Sequence, residues 1–499
     1  MPGGAPKSSL LRGRSAVRSG LLTGLSAVTV SSSAAVAGAF LAQRFGRGPL
    51  TDGFLAAYGV YLVLVLGAQA FRLVVVPDLT RAAAEGRLGA ETRSYALAFL
   101  TLAVPATAIA VALAGPLGDA ITGSLPHRAA TTAASALPWL VGAAFAQLLA
   151  ALGASALAAR DSYGVAAVGY ASGAVAGLLL FVTLADGDRI VALAWGLALN
   201  GGVSVSVPLL GLVMRGSRVR GARPGVAEVP RRLWRLLSGA AVPLALQALY
   251  IVALRLAAGL GVGRVTSLSY AYLAAATLVT ATASSLSLIS SAPLTRRGLD
   301  PDSAAAHVVH AAWISLAVIA AAAGVFAVVG GKIVGAILGS KYSGEVGREL
   351  GRLVVELAPW MLAAVAFTVA FPLVFVLERG RVLVPLAVAA VAAHVPISLG
   401  LRAAFGLAGL ALALALTTFL VLVVLLGTVS TRLLALAAAG LARPALVQAA
   451  VAAASFGLLS LVLPPIPAAA SGLALYGAIL VVLRPQGLRD AWAYVRALH

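Results

Sequence analysis

A succession of apolar stretches, each about as long as a bilayer is thick, constrains this chain more than any other feature. They fall at about 20–43, 54–77, 95–116, 135–158, 164–185, 190–214, 236–260, 266–292, 306–330, 352–377, 383–400, 406–429, 444–463 and 468–483 of the 499 residues. A spanning helix needs roughly 20 mainly apolar residues. The chain is 61% hydrophobic and 10% charged, with a mean hydropathy of +1.01, whereas a soluble domain is about 25% charged. No aqueous fold of this length hides that much apolar surface. A membrane barrel needs short alternating strands, and these runs are long, continuous and rich in Ala and Leu. The predicted fold class is an all-α polytopic membrane protein of about 14 transmembrane helices.

The charges sort by loop. Of the 36 Lys and Arg, 24 fall in the segments that alternate with the first side of the membrane, namely the N-terminal tail, Asp78–Ser94, Arg160–Asp161, Arg215–Arg235, Thr295–Ala305, Glu378–Arg381, Thr431–Arg443 and the C-terminal tail. The opposite segments hold 10, and Arg72 and Arg255 lie within spans. Basic loops are retained on the cytoplasmic side, so both termini are expected there. The net charge of +20 is thereby a matter of topology and membrane lipid, and nucleic acid is not expected as a partner. Lys7, Arg12, Arg14 and Arg18 precede Gly20–Gln43, a run too long for a signal peptide's apolar region, so a retained first helix is expected. The absence of cysteine excludes disulfides and thiolate metal sites. Only Lys7, Lys332 and Lys341 are lysine; with the excess of Ala and Gly, this composition suggests a GC-rich bacterial gene and a bacterial cytoplasmic membrane.

An internal repeat organises the spans. Leu21-Leu22-Thr23-Gly24 recurs as Leu236-Leu237-Ser238-Gly239, Gly46-x-Gly48-x-x-Thr51 as Gly261-x-Gly263-x-x-Thr266, and Leu79-Thr80-Arg81 as Leu294-Thr295-Arg296, all at one offset of 215 residues. Six spans separate the copies, so both enter the membrane in the same direction. The expected organisation is an N-terminal lobe (1–214), a basic linker (215–235), a C-terminal lobe (236–430) and two further helices with a tail (431–499). Parallel repeats of this kind place a substrate between the halves and rock them for alternating access.

Two six-helix lobes plus two helices resembles the multidrug/oligosaccharidyl-lipid/polysaccharide (MOP) flippase superfamily. Phe45-Gly46-Arg47-Gly48-Pro49-Leu50-Thr51-Asp52-Gly53-Phe54 looks like the F-G-x-G-x-x-T-D-x-F turn of MurJ-type lipid II flippases and polysaccharide flippases, and Val76-Pro77 before a short charged loop also fits. The resemblance implies a flippase for a polyprenyl-phosphate-linked glycan serving cell-wall or surface-polysaccharide biogenesis. It also implies arginines on the first helix, where this chain has Ser31 and Ala37. That departure points away from lipid II itself and toward the wider class of isoprenoid-phosphate-linked glycans. A cation or drug exporter of the same superfamily and a non-transporting scaffold are the competing readings.

Six residues are candidate substrate contacts. An arginine at membrane depth is costly and is functional by default; Arg72 in the second span and Arg255 in the seventh would hold a diphosphate through paired N–H donors. Gln69, Asn200 and Gln247 would hydrogen-bond sugar hydroxyls or link helices. Asp52 would bind a coupling ion, receive an arginine or cap the second helix. None of the sixteen acids falls at mid-span, Glu356 coming nearest; ion-driven cation exporters need such a group. His307 and His310 have no further ligands near in sequence, no catalytic set or phosphate loop is present, and nothing calls for a cofactor.

Overall fold

The computed structural model describes residues 8–160, 162–187, 189–214, 228–280, 282, 301–376 and 380–482. Among them there is no strand, as expected of backbone that must satisfy its own N–H and C=O groups in lipid. The helices are α1 (Ser8–Phe45), α2 (Pro49–Ala84), α3 (Leu88–Ala112), α4 (Ala114–Thr122), α5 (His127–Ala158), α6 (Tyr163–Leu184), α7 (Ala192–Met214), α8 (Glu228–Ala258), α9 (Arg264–Val279), α10 (Pro301–Leu338), α11 (Glu345–Glu356), α12 (Ala358–Val376), α13 (Leu383–Val429), α14 (Thr431–Val462) and α15 (Pro465–Val482).

Among the described residues ten helices are long and apolar enough to cross a membrane, or eleven when α11 and α12, bent by 41°, form one span. The longest, α13, holds two predicted spans whose arms meet at Gly406, where φ is +60°; only glycine takes up that conformation without strain. The 36-residue α2 and the 16-residue α9 occupy the second and the start of the eighth stretch. The described helices are consistent with about fourteen predicted spans without confirming that count, and residues 283–292 of the eighth stretch lie outside the described residues.

Helix also occupies places expected to be connections. Thr431–Arg443 forms the first turns of α14, with the Ser430 side chain accepting from the Leu433 N–H at 3.4 Å as its N-cap. Its Ala- and Leu-rich sequence favours helix outside the bilayer as much as inside it. Between α10 and α12, α11 is amphipathic: Leu350, Leu353 and Val354 are buried, while Arg348 and Arg352 are exposed.

Contacts divide the chain into two compact units. One comprises Met1–Phe45 and Pro49–Leu244; the other comprises Gly46–Gly48 and Ala245–His499. Lipid offers no hydrophobic drive for helix association, so close approach of small residues matters. In the first unit a Cβ on Gly173 would lie 2.7 Å from the side-chain oxygens of Asn200 and Ser204, and one on Gly177 would collide with the Gly196 carbonyl. Gly53 of α2 approaches the Ala129 backbone of α5 equally closely. The Ser26 hydroxyl donates to the Ala167 carbonyl at 2.8 Å, joining α1 to α6. In the second unit Trp313, Phe456 and Tyr476 form a buried core among α10, α14 and α15, seated against Gly324 and Gly472.

One pair of repeated turns is alike in the structure, while Leu294-Thr295-Arg296 lies outside the described residues. Gly46 and Gly261 both have positive φ, +71° and +116°. Thr51 and Thr266 are each the third residue of the helix that follows, and each is fully buried.

Candidate functional site

The predicted contacts are dispersed. Gln69 and Arg72 lie on α2, but their side chains fall outside the described residues. Arg255 is in the last turn of α8 and exposed. Gln247, two turns earlier, accepts a hydrogen bond from the Tyr272 hydroxyl at 3.0 Å; Tyr272 stacks on Tyr250 with centroids 3.9 Å apart and tilts against Trp360 at 4.7 Å. Asn200 is occupied within the first unit, accepting from the Ser204 hydroxyl at 3.1 Å where α7 meets α6. Asp52 sits in the first turn of α2 and is completely buried, where the helix dipole favours a negative charge.

Two ionic clusters were not foreseen. The first joins α2, α3 and the start of α8. Arg232 lies 2.6 Å from Glu91 and 3.4 Å from Asp78, and Arg235 lies 3.0 Å from Asp78. The Tyr95 hydroxyl donates to Asp78, and the Arg232 guanidinium stands 5.1 Å from the centre of the Tyr95 ring. Paired charges of this kind hold a helix end in place because neither partner is stable there alone.

The second cluster lies in the second unit, around the repeated turn. Glu349 of α11 meets Arg264 at 2.7 Å and Arg47 at 3.3 Å. Arg47 Nε donates to the Gly263 carbonyl at 2.9 Å, and the Tyr342 hydroxyl donates to the Gly46 carbonyl at 2.8 Å. Gly263 has φ +83°, and the space a Cβ would need is filled by the Arg47 side chain. Gly263→Ala is therefore expected to displace Arg47 and cost about 1–3 kcal/mol, from left-handed strain and the lost pairing. Chemical unfolding in detergent measures it; an unchanged midpoint would show that the turn is not held this way.

Local sequence gave one usable signal for each cluster. Asp78 follows the Val76-Pro77 step, and Arg47 sits between the two glycines of the repeated turn. The partners, however, are 154 residues away for Asp78 and Arg232 and 302 for Arg47 and Glu349.

No protein-family model matches the chain, and no curated protein matches it in sequence. Solved structures do match. A lipid II flippase MurJ in an inward closed conformation aligns with TM-score 0.66 and 13% identity, over 93% of this chain and 98% of its own. An inward-facing multidrug resistance MATE family transporter of the MOP superfamily aligns with TM-score 0.63 and 14% identity, over 82% and 95%. The eukaryotic MATE transporter AtDTX14 aligns with TM-score 0.51 and 15% identity, over 85% and 100%. At these identities the likeness is one of fold, and the chain has the fold of the MOP-superfamily transporters.

Proposed function

We propose that the chain is a flippase rather than an enzyme, moving a polyprenyl-(di)phosphate-linked glycan precursor across a bacterial cytoplasmic membrane, with both termini cytoplasmic. The repeats 1–214 and 236–430 would be the halves that alternate access, joined by the basic segment 215–235. The observation that carries this reading is the disposition of acid. Among the described residues three carboxylates are buried: Asp78 and Glu91 stand near helix ends paired with arginines, and Asp52 lies in the first turn of α2; Glu356 closes α11 paired with Arg352 at 3.2 Å. Cation exporters need an intramembrane carboxylate to exchange ion for cargo. Spans poor in acid, with Arg72 and Arg255 within them, suit an anionic head instead. The MurJ fold likeness supports a lipid-linked cargo.

One observation favours a cation exporter as the second reading. Asp52 is an acid with no exposed surface on the second helix. Flipping of a fluorescent polyprenyl-diphosphate glycan in proteoliposomes separates the two. The intact protein is expected to flip it, and Arg72→Ala and Arg255→Ala each to slow flipping about tenfold or more, the worth of one charge-assisted contact. Flipping unchanged by both substitutions would discard these sites and keep the flippase. No flipping by the intact protein, together with cation efflux abolished by Asp52→Asn, would replace it with the exporter.

A further inference from the structure

One ionisable side chain is buried at mid-membrane and takes no part in the clusters described above. His394 lies at the centre of the first arm of α13, midway between Leu383 and Phe405 and about 16 Å along the helix axis from each. That is near the middle of a hydrocarbon core of about 30 Å. The residue is completely buried, as are Thr417 and Ser398 beside it. His394 Nδ1 lies 2.8 Å from the Thr417 hydroxyl on the second arm of α13. Nε2 lies 3.1 Å from the Leu249 carbonyl of α8 and 3.0 Å from the Ser398 hydroxyl. A carbonyl can only accept, so Nε2 carries a hydrogen, and in the neutral ring Nδ1 accepts from Thr417. The ring can therefore take one more proton, at Nδ1, without losing a partner. The Thr417 oxygen then accepts, and its own hydrogen turns to a carbonyl one turn earlier in its helix, as threonine hydroxyls readily do.

We infer that His394 is a proton-binding site and that its proton is the ion coupled to transport. The coupling rests on the flippase reading above; the site does not. An ionisable group within a span is functional by default, and coupling-ion sites of transporters lie near the midplane. Chemistry selects the proton. A metal needs more than one imidazole, a carbonyl and two hydroxyls, and among the described residues no three His, Cys, Asp or Glu come together. Burial supplies the coupling. All three partners of the ring are uncharged. Of the helices packed against α13, α12 has no ionisable side chain, and the charges of α11 are all in ion pairs. On α8, Tyr250 is stacked on Tyr272, and Arg255 is exposed beyond Leu249. Arg432 and Arg443 of α14 precede its apolar run, and Arg381 and Arg402 are each more than about two turns along the chain from the ring. An imidazolium sealed here without a counter-charge is costly, whereas in water it is not. Protonation therefore favours an arrangement in which α8 and α13 part and water reaches the ring; deprotonation favours the sealed one. Pro396 of α13 and Pro243 of α8 stand within about two turns of the contact. Each removes a backbone bond that would otherwise stiffen its helix there.

Two measurements test this, the first without cargo. The chain has no cysteine, so a single introduced cysteine is labelled alone. Leu249→Cys keeps the backbone carbonyl on the ring, and its alkylation by a water-soluble maleimide is followed in proteoliposomes from about pH 8 to about pH 5.5, the range in which histidine changes charge. The same cysteine in His394→Gln cancels the thiol's own pH dependence; glutamine keeps a donor for the Leu249 carbonyl but takes up no proton. Acid is expected to raise the ratio of the two rates several-fold. The second measurement is flipping of the fluorescent polyprenyl-diphosphate glycan under an imposed pH difference. One proton exchanged per cargo turns each unit of pH into about a tenfold difference in cargo between leaflets, expected of the intact protein and absent in His394→Gln. Should His394→Gln fail to elute as monodisperse protein, Thr417→Val carries the test, since it keeps the ring and removes the acceptor of the added proton. It is expected to move the labelling transition to lower pH, because a charged donor loses more than a neutral acceptor does, with Thr417→Ser restoring it. Labelling that follows pH equally with histidine and glutamine, that follows sodium instead of pH, or that ignores Thr417→Val would overturn the inference. Acid-dependent labelling that requires His394, in a protein that flips nothing, would keep the site and discard the flippase. Flipping indifferent to the pH difference would keep the flippase and overturn the inference.

Discussion

Arg232→Ala is expected to destabilise the protein by about 3 kcal/mol, the low end of what removing one partner from a buried ion pair costs. The side chains of Arg232, Asp78 and Glu91 are 12%, 7% and 10% exposed, so none is well hydrated. Removing the guanidinium strips Glu91 of a cation 2.6 Å away and leaves Asp78 with Arg235 and the Tyr95 hydroxyl. Arg235 is half exposed and its own removal is expected to cost under about 1 kcal/mol, as for a solvent-screened pair. Two comparisons make the claim decisive. The triple variant Asp78→Asn, Glu91→Gln, Arg232→Met removes all three charges together and is expected to recover most of the loss, since a neutral replacement leaves no buried charge uncompensated. Denaturant unfolding in detergent reads all three. If Arg232→Ala and Arg235→Ala cost the same, or if the triple variant is worse than the single, the cluster is a surface decoration rather than the fastening of the first turns of α8 to α2 and α3.

Much of the architecture was legible because the bilayer leaves the backbone few choices. An apolar run such as Ala192–Met214 is forced into helix by its own N–H and C=O groups, so length and hydropathy were enough to place it. The repeat was readable for a different reason: Gly46, Gly261 and Gly263 occupy backbone conformations that other residues resist, so the pattern is written in residue type. What escaped was whatever depends on partners distant in sequence or on short amphipathic pieces. The short α4 helix and the first half of α11 lie outside the long apolar runs, so hydropathy passes over them. Arg231, Arg232 and Arg235 were read as charges holding a loop in place, yet Arg232 is nearly buried against residues of two other helices. Asn200 was a candidate sugar contact, and its position beside Gly173 and Ser204 is invisible without knowing that α6 lies against α7.

Gly177→Val is the substitution expected to damage the fold most. Gly169, Gly173 and Gly177 recur every fourth residue along α6 and so share one face. That face lies against α7 so closely that a Cβ on Gly177 would strike the Gly196 carbonyl, and a Cβ on Gly196 would strike the Gly177 carbonyl in return. Backbone cannot turn aside as a flexible side chain can, so the helices must part. Parting them loosens the pocket that holds Asn200 and Ser204. It also pushes on α7 from behind: Gly201 of α7 already stands where a Cβ would be 2.8 Å from Ala146 Cβ, and Gly153 of α5 where one would be 3.2 Å from Pro208 Cβ. The strain therefore passes through α7 into α5 rather than dissipating in lipid. Overpacking one site costs about 1–3 kcal/mol, and an interface that depends on close contact in lipid loses its attraction as well; a total above about 3 kcal/mol is expected, seen as collapse of the monodisperse peak in size-exclusion chromatography. The control lies in the same helix pair. Gly202 faces open space, with nothing within 4 Å of an added Cβ, so Gly202→Val tests the change of residue without the collision and is expected to leave the peak intact. Equal loss from both would mean that helix propensity, rather than the α6–α7 contact, sets the cost, and the packing account of the first unit would fall with it.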